Sequence, residues 1–196
     1  MNKKAIESWN KILDPSVLKM KVMSFSIYTT AFELLKSVVI TKVEAFFVSP
    51  FDDNDAQNEY EKKVLSLSKS KLYASLLWLK DMGAIDDEDI KNFNLLKELR
   101  NDISHEMFDL LCSEPSFDII VELDSIIRML NKIELWWFLN LEMAIDPDAY
   151  PEDFDVQKVQ PMSVWTLKLI ITVALGDENE AKAIFDDFCD KVKNNY

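Results

Sequence analysis

The chain has 196 residues, of which 22 are Lys or Arg and 35 are Asp or Glu, giving a formal net charge of −13. That balance argues against nonspecific binding to a DNA or RNA backbone, which needs clustered cations, although a small, locally basic cleft remains compatible with it; a strongly acidic surface also suits docking on a basic partner. Two glycines and six prolines are too few for the tight turns of a sheet protein, and 48% hydrophobic residues can fill a core, so long helices are expected in one compact domain or one domain with an appendage.

In chain order, residues 3–13 predict a short amphipathic helix with Ile6, Trp9, Ile12 and Leu13 inward, ended by Asp14-Pro15, after which Ser16 can cap the next helix. Residues 17–48 are apolar on most sides and predict a long central helix with a break near Ser24. The β-branched cluster Val38-Val39-Ile40-Thr41 could pass for a strand, but it has helical flanks and no partner strand. A loop over 49–55 leads to helices over 56–67 and 68–82, the second with Leu72, Ser75, Leu76 and Leu79 in a stripe beside Trp78 and closed by Gly83 as a C′ glycine.

The next helix carries most of the chemistry. Asp86 is placed to cap it, and Asp87, Glu88 and Asp89 suit the positive end of its dipole. Leu96, Leu99, Ile103, Met107 and Leu110 fall on one face at about 100° per residue. Arg100 lies at the edge of that face and His105 about 140° away, with Asn101 and Ser104 between them. Asp109, one turn beyond His105, is placed to orient the imidazole. A histidine that titrates near neutrality can move a proton, and an arginine can clamp a phosphate with its planar fork, a pairing that suits phosphodiester cleavage. An amphipathic helix also commonly carries one Arg and one His as a plain solvated edge.

Past a break at 112–116, residues 117–144 predict a long helix whose Trp136-Trp137-Phe138 triplet reads as core or dimer interface, since no run of cations accompanies it for base stacking. Residues 146–161 form an acidic loop without the spaced Asp and Gly pattern of a calcium site. Two closing helices, 163–175 and 178–192, are expected to set Trp165, Leu169, Ile170 and Val173 against Ala181, Ile184, Phe185 and Phe188. Residues 1–144 thus read as a helical bundle with its N-terminal helix, and 145–196 as a loop and helical pair packing on the same domain.

Cys112 and Cys189, far apart in sequence, make neither a disulfide framework nor a metal set, and are expected to be reduced, buried thiols of a cytoplasmic protein. The N-terminal residues lack the apolar run of a signal peptide, and no uninterrupted apolar stretch reaches the length of a membrane span. The single histidine excludes a multi-histidine metal site within one chain, and no Gly-rich phosphate loop or Gly-x-Ser-x-Gly elbow is present, so no metal or cofactor is expected.

The run Leu96-Lys97-Glu98-Leu99-Arg100-Asn101-Asp102-Ile103-Ser104-His105, preceded by a helix, Gly83 and an acidic cap, resembles the signature of the HEPN (higher eukaryotes and prokaryotes nucleotide-binding) superfamily: an arginine, a polar residue, a few positions, then histidine. The resemblance covers about residues 25–111, and residues 69–105 are also similar to the mannitol operon repressor family, which is regulatory. It implies an all-α antiparallel helical bundle of HEPN type, here with extra C-terminal helices, and a homodimer with both motifs facing one cleft. Arg100 would then be the phosphate clamp, Asn101 an orienting donor and His105 the general acid or base, with Ser104 and Asp109 in support. Glu106 follows the histidine where family members often carry a small residue. With the charge of −13, it favours a bacterial-type regulatory or defence protein (toxin–antitoxin, immunity or transcriptional regulator) that binds RNA or a basic protein partner. The alternative is a metal-independent ribonuclease using Arg100 and His105 across a dimer cleft.

Overall fold

The computed structural model of the chain describes residues 14–47, 53–113, 117–145, 154–155 and 159–194. The helix expected over 3–13 and most of the 49–55 and 146–161 loops lie outside them. The order is α1 (Pro15–Phe46), α2 (Asp53–Lys63), a 3-10 turn (Leu65–Leu67), α3 (Lys71–Asp81), α4 (Asp87–Cys112), α5 (Ile119–Trp137), α6 (Met162–Leu175) and α7 (Glu178–Asn194). Helix α5 runs on through a π turn, Phe138–Glu142, and a last turn, Met143–Ile145. Among the described residues there is no strand, and the fold is all-α.

Helix α1 is the axle of the bundle, packing against α3, α4, α5 and α6. Its residues Tyr28, Ala31, Leu35, Val39 and Val43 recur at helical spacing and are shut off from solvent. They meet a core to which α3 contributes Leu76 and Leu79, α4 Phe93, Leu96 and Ile103, and α5 Leu123, Ile126, Leu130 and Ile133. Each such Leu or Ile contributes about 1.5–3 kcal/mol when it leaves water. Among the described residues α1 is the one helix long and apolar enough, by length and composition, to cross a membrane.

The break expected near Ser24 is absent. Ser26, Thr29, Thr30 and Thr41 donate their hydroxyls to carbonyls one turn back, at 2.8–2.9 Å, so the polar run is satisfied inside one continuous helix. The cap is also two residues earlier than the expected Ser16. Asp14 accepts from the amides of Ser16 and Val17, with Pro15 in the first turn, where its missing N–H does no harm.

Gly83 closes α3 with φ +79°, and Gly83 N and Ala84 N donate to the carbonyls of Lys80 and Leu79. This is the Schellman arrangement, and no atom lies near enough to crowd an added Cβ; the glycine is required by its left-handed backbone. Trp137 is buried and Phe46 stacks on Trp78 and Trp137 at 5.1 and 6.3 Å, so the aromatic triplet begins in the core. Helix α6 reverses an expectation: Val164 and Leu167 face inward, while Trp165, Ile170 and Val173 are exposed. It is apolar all round, so periodicity alone could not choose its inner face.

Candidate functional site

Helix α4 starts as its sequence dictates. The Asp86 carboxylate accepts from Glu88 N and Asp89 N, and the Asp89 carboxylate in turn accepts from Asp86 N, a reciprocal capping box. Lys132 of α5 spans both carboxylates, and Asp86 titrates below its ordinary range, chiefly through the Asp89 amide and then Lys132. Deeper in, the Tyr28 hydroxyl donates to Leu96 O at 2.9 Å inside the core, and burial pushes the Tyr28 pKa up. The cap and this latch set the register in which the motif residues emerge.

Arg100 leaves α4 toward α1. Its Nη2 donates to Glu33 Oε1 at 2.6 Å and its Nη1 to Asn101 Oδ1 at 3.4 Å, while Nε is shielded with no partner among the described residues. Glu33 is also paired with Lys36 at 2.7 Å, and its pKa is lowered first by the Lys36 hydrogen bond and then by Arg100. Lys97 turns the other way, 3.3 Å from the Tyr73 hydroxyl and over its ring at 4.8 Å. Arg100 and Lys97 are therefore both engaged within the chain.

The remaining motif residues stand apart from that cluster. Ser104 donates to Arg100 O at 2.9 Å, the satisfied back-bond of a mid-helix serine. His105 is exposed and makes no hydrogen bond or ion pair among the described residues. Asp109 does not hold it, contrary to the sequence expectation. Its carboxylate is exposed and has no ion-pair partner among the described residues, and its main-chain carbonyl accepts from the Ser113 hydroxyl.

The reason is local: Glu106, between them, has φ −120° and ψ 21°, a kink inside the helix. Beyond it Met107, expected on the core face, is 36% exposed and Phe108 is 68% exposed. The structure thus brings Arg100 and Asn101 together and leaves His105 and Asp109 apart. Glu33 and Lys36 complete the Arg100 cluster and were not singled out from the sequence. Their signal was there, because Glu33 is the only acidic residue of α1 before Glu44, and a lone carboxylate on a largely apolar helix calls for a partner.

A cleft of about 370 Å³ opens where α1 begins, among Met20, Lys21, Phe25 and Phe117; Arg100 and His105 do not line it. Among the described residues no three His, Cys, Asp or Glu side chains are arranged to hold a metal ion. Cys112 and Cys189 are free thiols. No family model matches the chain, and no curated protein or solved structure matches it.

Proposed function

We propose that the protein is a HEPN-like cytoplasmic regulator that acts by binding, with α4 as its recognition element, and that it does not turn over RNA. The observation that carries this reading is the commitment of the Arg100 guanidinium to Glu33, with Lys36 on the same carboxylate. A phosphate clamp must present its fork to the ligand, and an anion entering here would have to displace a carboxylate already held at hydrogen-bond distance. His105 has no group among the described residues to fix its tautomer, and acid–base work needs that orientation.

The second reading is the metal-independent ribonuclease assembled from two copies. One observation favours it: His105 is exposed and unengaged, so a second chain could bring a phosphate to it. One assay separates the two. Purified full-length protein is incubated with labelled structured and single-stranded RNA beside Arg100→Ala and His105→Ala. Binding without turnover predicts no cleavage by any of the three. Cleavage by the wild type that both variants lose, with helicity intact, overturns the proposal in favour of the nuclease.

A further inference from the structure

We infer that the outer side of α4 is the docking surface for a basic peptide segment of a partner protein, with Lys or Arg set against Glu98, Asp102, Glu106 and Asp109 and an apolar side chain against Leu95 or Phe108. This rests on the binding role proposed above and names the partner's chemistry.

Charge pairing across the described chain singles this surface out. Elsewhere many carboxylates are engaged, Glu33 with Arg100 and Lys36, Glu44 with Lys71, Asp86 and Asp89 with Lys132, Asp124 with Arg128 and Glu134 with Lys42. Asp81, Glu180 and Asp186, without an ion pair among the described residues, do not follow one another at single-turn spacing. Glu98, Asp102, Glu106 and Asp109 follow one another at about one turn, all are exposed, and none has an ion-pair partner among the described residues. Like charges one turn apart repel, so a row that no cation among the described residues offsets is destabilising and is relieved when cations are set against it.

The same stretch exposes large apolar side chains. Leu95 is 64% and Phe108 68% exposed, and every residue from Ser104 to Asp109 is open to solvent. Exposed apolar groups beside an uncompensated row of one sign are the two halves of a charge-selective protein interface. The row also selects the occupant. A nucleic acid or an anionic lipid surface meets repulsion, as does a second copy, whose symmetric contact would set carboxylate against carboxylate. A cationic segment is attracted at long range by the net charge of −13 and held locally by the row.

The probe is a fluorescent synthetic helical peptide with Lys at one-turn spacing and Leu between, together with its Glu-for-Lys counterpart. Binding to the full chain is followed by anisotropy. The row variant Glu98→Gln/Asp102→Asn/Asp109→Asn is compared with Asp81→Asn/Glu180→Gln/Asp186→Asn, which changes the charge equally at exposed positions on α3 and α7. The row variant is expected to lose about tenfold or more in affinity, the control less than about twofold, and the Glu peptide not to bind. Phe108→Ser is expected to weaken binding about threefold or more at low and high salt alike. Equal losses in the two triple variants, or no peptide binding to the wild type, overturn the docking surface. Those results leave the binding role standing, whereas RNA cleavage dependent on Arg100 overturns that role itself. Circular dichroism confirms that each variant is folded.

Discussion

The two ends of α4 are one helix in two environments. From Asp87 to Ile103 it is capped by Asp86, latched by the Tyr28 hydroxyl and buried through Phe93, Leu96 and Ile103. From Ser104 to Asp109, across the Glu106 kink, every residue is exposed, Met107 and Phe108 included. The same helical spacing of apolar residues runs through both. Whether it makes core depends on what stands opposite: in the front half Phe93, Leu96 and Ile103 meet the bundle, although Leu95 is open to solvent. The front half holds the fold, and the back half is left for recognition.

The largest contrast between the halves is in truncation. Leu96→Ala removes a fully buried side chain and is expected to cost about 2–5 kcal/mol in urea unfolding. Phe108→Ala, a larger truncation, is expected to stay within about 0.5 kcal/mol, because its ring is already in water. Equal losses would break the comparison.

Smaller effects sharpen it. Gly83→Ala, at the turn that launches α4, forces a Cβ into φ +79° and is expected to cost about 1 kcal/mol by thermal unfolding. Tyr28→Phe leaves the ring packed but removes the bond to Leu96 O, for about 1 kcal/mol near neutral pH. Because burial raises the Tyr28 pKa, the folded state holds that proton more tightly than the unfolded chain does. The wild type should therefore lose stability as pH rises above the ordinary tyrosine value of 10.0, and Tyr28→Phe should lose less.

The smallest effect lies at the boundary between the halves. Glu33 titrates below its ordinary 4.5 when folded, so its pairing with Lys36 and Arg100 supports the fold above that pH and fades as pH falls through the lowered value. The stability gap between wild type and Glu33→Gln should be present at neutral pH and close in acid. A gap that persists unchanged in acid would show that the cluster acts through packing and not charge.

The front half of α4 was legible from the sequence because its signals are local: an acidic cap, three acids in the first turn, and apolar residues at the right spacing. So were the Gly83 turn and the all-α fold, which follow from chain-neighbour chemistry and the scarcity of turn residues. The Arg100–Glu33 pair joins positions 67 apart, and no local pattern announces it. The exposure of Met107 was hidden for the reverse reason, since its spacing fits a core face that the kink at Glu106 turns away, with no helix among the described residues to cover it. The inner face of α6 could not be chosen because the helix is apolar on all sides.

Amide hydrogen exchange along α4 in the full chain tests the division most directly. Amides from Phe93 to Ile103 are expected to exchange only at the rate of global unfolding, and those from Met107 to Asp109 many-fold faster through local opening. Uniform slow exchange from Phe93 to Asp109 would contradict it, showing one cooperative helix with no half set aside for a partner.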